Sequence, residues 1–322
     1  MTNTFSRKPD LRTSEPVALR SRGLSKRYGD NVALEDLSLE VPFGAFVGLL
    51  GPNGSGKTTS MHCLTTLVEP STGSAWIAGH PIRSSGVAIR RDIGVVFQSP
   101  ALDPSLTVEE TLAFAGAIRG LPRRVSRQRA EAMLALFRLD ATRRARVATL
   151  SGGTRRAVDI ARSVIHRPRI LFLDEPTLGL DVPNRRRIWD QIARLRRDEG
   201  ATVFLTTHYL DEANDCDAVH FIAGGRIVGS GSPADLMARM GSQMLEIEGH
   251  GIEAVAHALR PELGPCFLEG ERALFRFVGS PEQTELRLRS SFGDLRSVRR
   301  RRPTLEDVFV WMTDPELRGE LS

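Results

Sequence analysis

Lysine is almost missing from this 322-residue chain: Lys8, Lys26 and Lys57 stand against 41 arginines in a basic total of 44. Cysteine is as sparse. Cys63, Cys216 and Cys266 lie far apart, form no CxxC pair and make an odd total; this supports neither a disulfide scaffold nor a zinc site and fits a reducing cytoplasm best. No apolar run reaches membrane-spanning length and mean hydropathy is −0.19, so no transmembrane helix is expected. The first residues, MTNTFSRKPDLRTSEP, lack the apolar core of a secretory signal. Fixed-period repeats and low-complexity stretches are missing too, and the length suits one large domain or two ordinary ones. What is abundant is charge: 26% of residues are charged, and the net is +5. A pI near 9.6 raises a nucleic-acid partner as a hypothesis to test.

Residues 1–15 are polar, carry Pro9 and read as a flexible tail. From Val17 to about Met240 short apolar strands alternate with helical segments, the pattern of an α/β domain. The runs AFVGLL (45–50), ILFLD (170–174) and TVFLT (202–206) read as buried parallel strands. Each is followed by polar residues where its carboxyl end emerges, the edge at which open α/β sheets bind ligands. Around Gly241 the pattern changes to strand (244–249), helix (252–259), strand (about 266–268) and strand (273–278). A helix near 281–290, a strand near 295–300 and a helix from Leu305 to Met312 follow. That order is a small ferredoxin-like α+β unit with one helix added. The expected division is a tail over 1–15, a domain over 16–240 and an accessory or regulatory domain over 241–322.

The segment GPNGSGKT, Gly51 to Thr58, follows the first apolar strand and fits the phosphate-loop pattern G-x-x-x-x-G-K-[ST] at every fixed position. Gly51, Gly54 and Gly56 let the loop curl so that backbone N–H groups point at phosphates. The helix starting at Lys57 turns its positive end toward the same anion. Lys57 is placed to reach the β- and γ-phosphates, and the Thr58 hydroxyl to ligate Mg²⁺. In RILFLDEP (169–176), Asp174 ends an apolar strand and Glu175 follows it. Successive carboxylates at a strand end point in different directions, so one can face a metal and the other an attacking water. Glu175 is the candidate general base or water-positioning group. In TLSGGTRRAVDIARS (149–163), Ser151, Gly152 and Gly153 precede a helical run with apolar residues at Ala157, Ile160, Ala161 and Val164. Alone, this is an N-cap with a flexible entry.

In this order the segments resemble the ATP-binding cassette (ABC) ATPases, in particular the separate ATPase subunits of drug-exporter-like transporters. The resemblance covers 17–240. It implies a P-loop NTPase cassette with a helical subdomain at about 99–165, binding ATP with Mg²⁺. Gly51, Pro52, Asn53, Gly54, Ser55, Gly56, Lys57, Thr58 and Thr59 would form the nucleotide loop, with Tyr28, in SKRYGD, stacked on adenine. Gln98, in GVVFQSP, matches the glutamine that approaches Mg²⁺ and the lytic water and contacts the permease side. LSGG (150–153) matches the signature whose Ser151, Gly152 and Gly153 close over ATP held by a partner subunit. Asp181 in GLD (179–181) matches the loop that communicates across the dimer, and His208 matches the switch histidine at the γ-phosphate. Glu175, His208 and Gln98 would carry hydrolysis, with Thr58, Gln98 and Asp174 around the metal. Thr154 stands where glutamine is commonest in the signature, a change that bears on nucleotide affinity or dimer closure.

Three further segments resemble the exporter branch: THYLDEAN (207–214), GGRIVGSGSPADL (224–236) and RRPTLEDVFVWMT (301–313). In the last, Thr304 can cap a helix with Asp307 completing a box-like start. Leu305, Val308, Phe309 and Met312 then form an apolar stripe, open to two readings, core packing or a dimer contact. The resemblance implies a homodimer, a separate transmembrane permease, and a place on the membrane surface through it, at the cytoplasmic face. An ABC importer ATPase, or a cassette protein acting on nucleic acid or ribosomes, would share the ATP chemistry. Proteins of the latter kind commonly carry two cassettes or a long coiled-coil insertion, and neither is present. Residues 119–169 hold 14 arginines against Glu131, Asp140 and Asp159, a local net of +11 (14 − 3) within a chain of only +5. No groove-reading motif accompanies that excess, so no nucleic acid is expected. Anionic lipid headgroups, acidic permease loops and plain solvation remain open for it.

Overall fold

The computed structural model describes residues 17–277, 295–314 and 317. The chain begins with strands β1 (Val17–Tyr28), β2 (Asn31–Pro42) and β3 (Phe46–Leu50), then helix α1 (Lys57–Leu64). Next come β4 (Thr72–Ile77), β5 (His80–Pro81), α2 (Gly86–Asp92) and β6 (Ile93–Val96). Helices α3 (Val108–Ile118), α4 (Arg123–Phe137) and α5 (Gly152–Val164) lead to β7 (Ile170–Asp174), α6 (Val182–Glu199) and β8 (Thr202–Thr207). They are followed by β9 (Ala218–Ala223), β10 (Arg226–Gly231) and α7 (Pro233–Arg239). The last elements are β11 (Gln243–Gly249), α8 (Ile252–Leu263), β12 (Cys266–Glu269), β13 (Arg272–Phe277), β14 (Leu295–Arg301) and α9 (Leu305–Thr313). The expected tail over 1–15 and the helix near 281–290 lie outside the described residues. Among those residues no helix is long and apolar enough to cross a membrane.

The chain divides into two compact units. The first comprises, within the described residues, 17–26, 37–45 and 61–204. In it β1 pairs antiparallel with β4, Leu19 opposite Ile77, and β6 pairs parallel with β7, Ile93 opposite Ile170. All five side chains of β7 are buried, as a strand covered on both faces requires. Helix α3 opens on a capping box in which Thr107 and Glu110 exchange hydrogen bonds. Arg129 of α4 forks onto Glu199, at 2.7 and 3.0 Å, and donates to the carbonyls of Val164 and Ile165. One guanidinium thereby satisfies carbonyls left over at the end of α5 and ties α4 to α6.

The second unit comprises 27–36, 46–60 and the described residues from Leu205 onward. Here β3 pairs parallel with β9, Leu50 opposite Phe221, and β9 pairs antiparallel with β10. The C-terminal strands form a separate antiparallel sheet in the order β12-β13-β11-β14. Helix α8 covers one face of it around Leu245, Ile247, Val255, Leu259, Phe275 and Val298. Helix α8 runs to Leu263, past the expected end at 259, with Pro261 in its last turn. A proline there costs one hydrogen bond at an end already fraying. The stripe on α9 packs within its own chain: Phe309 lies 5.5 Å from Phe221, centroid to centroid, and Leu305, Val308 and Met312 are buried. At Gly229 of β10 an added Cβ would lie 2.0 Å from the Met312 sulfur. Core packing is therefore the reading of the stripe that holds.

Candidate functional site

In the second unit, β3 delivers the loop Gly51–Gly56 to the start of α1, where Lys57 is only 4% exposed. Its Nζ donates to the carbonyls of Gly51 (2.8 Å) and Pro52 (3.0 Å), so the ammonium lies inside the curve of the loop. Gly51 is obligatory for a packing reason. A Cβ there would sit 2.2 Å from the Ile222 carbonyl oxygen and 2.8 Å from Ser55 Oγ. Gly54, with φ +79°, and Gly56, with φ +109°, take conformations that L side chains resist. Ser55 is buried and its Oγ has no hydrogen-bond partner among the described residues. A buried hydroxyl left over in a glycine loop, beside the buried Lys57 ammonium, fits an anionic phosphate as its partner.

Thr58 is exposed on the first turn of α1, Thr59 half-buried, and the Tyr28 ring is 47% exposed at the end of β1. Gly51 N–H donates to the Thr207 carbonyl at 3.4 Å, which places the first loop residue beside the turn carrying His208. That turn is set by a pair which sequence reasoning missed. Thr207 Oγ1 donates to Glu212 at 2.6 Å and accepts from the Tyr209 N–H at 2.9 Å. The available signal was their spacing within THYLDEAN, since a short hydroxyl and a carboxylate five apart can close a turn.

In the first unit, Asp174 is 1% and Glu175 7% exposed at the end of β7. Glu175 has φ +45°, a left-handed conformation that costs a non-glycine residue about 1 kcal/mol and turns its side chain away from the strand's alternation. Tight turns follow, Leu178 N–H to Glu175 O and Leu180 N–H to Thr177 O, and end at Asp181. Asp181 caps α6 by accepting from the Asn184 N–H at 2.9 Å. Ser151 caps α5 by accepting from the Thr154 N–H at 3.2 Å, and its hydroxyl meets that of Thr154 at 2.9 Å. Gly153 faces α6 so closely that a Cβ would lie 2.5 Å from Asn184 Oδ1. The signature and the Asp181 turn are thus packed together.

Gln98 is exposed just past β6. The residue fixing its backbone, also missed from sequence, is Arg156 on α5. It is 3% exposed and donates to the carbonyls of Phe97 and Gln98, each at 2.6 Å. Burial pushes this guanidinium below its usual pKa, and the carboxylates of Asp159 and Asp174 act against that shift. Arg156 therefore links the field at Asp174, the signature helix and the Gln98 loop. Nothing in the sequence separates it from half-buried Arg155 beside it, which donates instead to the Leu150 carbonyl.

Taken together, a glycine loop leading from a buried strand into a helix, a buried Asp-Glu pair ending a second strand and a capped glycine signature define an ATP-binding cassette. Residues 34–178 match the family model of the ABC transporter. The Nod factor export ATP-binding protein I of Cupriavidus pinatubonensis is 38% identical over 302 residues, covering 93% of this chain and 92% of that protein. The daunorubicin/doxorubicin resistance ATP-binding protein DrrA of Streptomyces peucetius is 36% identical over 312 residues, covering 94% of each. Among solved structures, an ATP-binding subunit of an ABC transporter matches with a TM-score of 0.63 at 29% identity, over 70% of this chain and 93% of that one. The dimeric post-hydrolysis cassette MJ0796, bound to ADP and Pi, matches with a TM-score of 0.61 at 27% identity, over 66% of this chain and 98% of that one. The chain belongs to the ABC transporter family, as one of its ATP-binding subunits, and it is an ATPase.

Proposed function

We propose that the chain powers export through a separate membrane permease, as a homodimer that closes head to tail on two ATP at the cytoplasmic face of the membrane. Its relatives named for Nod factor export and for daunorubicin/doxorubicin resistance match over 93% and 94% of this chain, a span that takes in the C-terminal sheet as well as the cassette. That coverage carries the reading. Residues 51–59 cradle the phosphates, Lys57 supplies the point charge, and Tyr28 meets adenine. Thr58, Gln98 and Asp174 offer hard oxygen donors, the set Mg²⁺ prefers, and a few protein oxygens suffice where substrate phosphates complete the shell. Held by these residues, Mg²⁺ would supply positive charge to offset that of the nucleotide phosphates. Ser151, Gly152 and Gly153 of one copy close on the nucleotide held by the other, and Asp181 reports closure across the dimer. Glu175 takes the proton of the attacking water, with His208 and Gln98 fixing its position.

The permease contact falls on a groove of about 850 Å³ in the first unit, beside the Gln98 loop. Of the seven exposed large hydrophobic side chains among the described residues, Leu67, Val87, Phe114 and Ile118 line it. Such a concentration of exposed apolar surface marks a protein contact. The deciding experiment for the chemistry is Glu175→Gln, which removes the base and keeps the shape. Hydrolysis should fall at least about 100-fold with ATP binding retained; full turnover in that variant would remove Glu175 from the role.

A further inference from the structure

We infer that Arg156 is a positioning residue for Gln98, and that Asp159 and Arg162 form with it a charge relay from the groove to the hydrolytic site. The inference rests on the ATPase reading above. Strand β6 ends at Val96, so the carbonyls of Phe97 and Gln98 are the first to leave the sheet ladder and need other donors. Arg156 supplies both from one planar fork, each at 2.6 Å, which fixes two successive peptide planes at once. One turn further along α5, Asp159 is fully buried. Its Oδ1 accepts from Arg162 at 2.6 and 3.2 Å, whereas its Oδ2 lies 3.7 Å from Arg156 and has no hydrogen bond among the described residues.

At spacings of three residues the three side chains share one helix face. Its outer end is in the groove, where Arg162 is 27% exposed and crowded by the positive charge of Arg119. Its inner end is the Gln98 backbone. Asp159 is thus one carboxylate shared unequally between two arginines. With Arg162 on Oδ1, Arg156 is left to the carbonyls. When an anionic side chain arriving in the groove draws Arg162 away, the freed carboxylate captures Arg156, and the Gln98 loop loses its hold. Asp174, the other carboxylate acting on Arg156, draws on the same guanidinium from the catalytic side.

Sign epistasis tests this. In the full-length chain Arg162→Gln should lower kcat about tenfold with the KM for ATP unchanged, an effect within the usual range of coupling energies. Adding Asp159→Asn removes the captured charge and should restore kcat to within about twofold of wild type. Amide hydrogen exchange across 97–103 reads the same relay without turnover: faster in Arg162→Gln, slowed again in the double variant. A double variant slower than Arg162→Gln, with exchange still faster, would overturn the relay and leave a structural helix. Failure of the ATPase reading itself is seen separately, as absent hydrolysis by the wild type or full hydrolysis by Glu175→Gln.

Discussion

At the scale of single residues, the nucleotide loop separates two kinds of glycine, and the difference is measurable. Gly51→Ala forces a Cβ to 2.2 Å from a backbone oxygen that belongs to β9 and has little room to retreat. Gly54→Ala meets nothing within 4 Å and carries only the strain of φ +79°, about 1 kcal/mol. In a titration with a fluorescent ATP analogue, Gly51→Ala should weaken binding at least about tenfold and Gly54→Ala by less than about fivefold. Equal losses would mean that backbone conformation, not packing against Ile222, sets the requirement for glycine. The sequence placed both residues in the loop because the motif is a spacing rule tied to a strand and a helix. It could not rank them, because the oxygen that excludes a side chain at Gly51 comes from Ile222, 171 positions away (222 − 51). The same holds for Arg156. Its identity is plain in the sequence, but its partners are two backbone carbonyls, which carry no side-chain signature.

At the scale of elements, the start of α9 combines a cap and a buried charge. Asp307 is 2% exposed and accepts from Arg301 at 2.6 and 2.8 Å, from the Thr304 N–H at 2.8 Å and from the Thr304 hydroxyl at 2.9 Å. Burial alone would raise this carboxyl, but the Arg301 and Thr304 hydrogen bonds outweigh it and hold it below the usual range. A depressed carboxyl contributes stability in full above its unfolded pKa of about 4 and loses it as pH falls through the lower folded value. Asp307→Ala should therefore cost about 2 kcal/mol at pH 7, by urea unfolding, since it removes the reciprocal half of the capping box and leaves Arg301 with Glu246 alone. The difference from wild type should shrink below pH 4; a constant difference there would remove the charge from the explanation. The capping box was legible from Thr304 and Asp307 alone, three apart before an apolar stripe. The role of Arg301 was not, since the run Arg299–Arg302 offers four identical candidates and only the sheet decides which one faces the helix. The destination of the stripe was equally closed, because periodicity fixes a face without naming what covers it.

For the whole molecule, the arginine excess changes meaning once its partners are known. Residues 119–169 carry a local net of +11, yet Arg129 and Arg156 from that segment are 7% and 3% exposed. They hold backbone carbonyls, and Arg129 also holds the Glu199 carboxylate, which a nucleic-acid contact would leave exposed. Part of the charge is therefore structural, and part lines the groove, where Arg119 and Arg162 of that segment join Arg90 and Arg91 in a lining that also holds Phe114 and Ile118. Phe114 and Ile118 lie four apart on α3 at 58% and 66% exposure, so a partner helix laid in the groove would cover both at once. Replacing both by aspartate, Phe114→Asp with Ile118→Asp, leaves the core untouched and adds two charges to the patch that contact would desolvate. The variant should keep its thermal midpoint and its affinity for ATP, while its retention on washed membrane vesicles from its own cell falls at least about tenfold. Unchanged retention would move the membrane contact to another face of the protein. Retention lost only at high salt in the wild type, with the variant no worse, would assign the contact to the arginines rather than to the apolar floor between them.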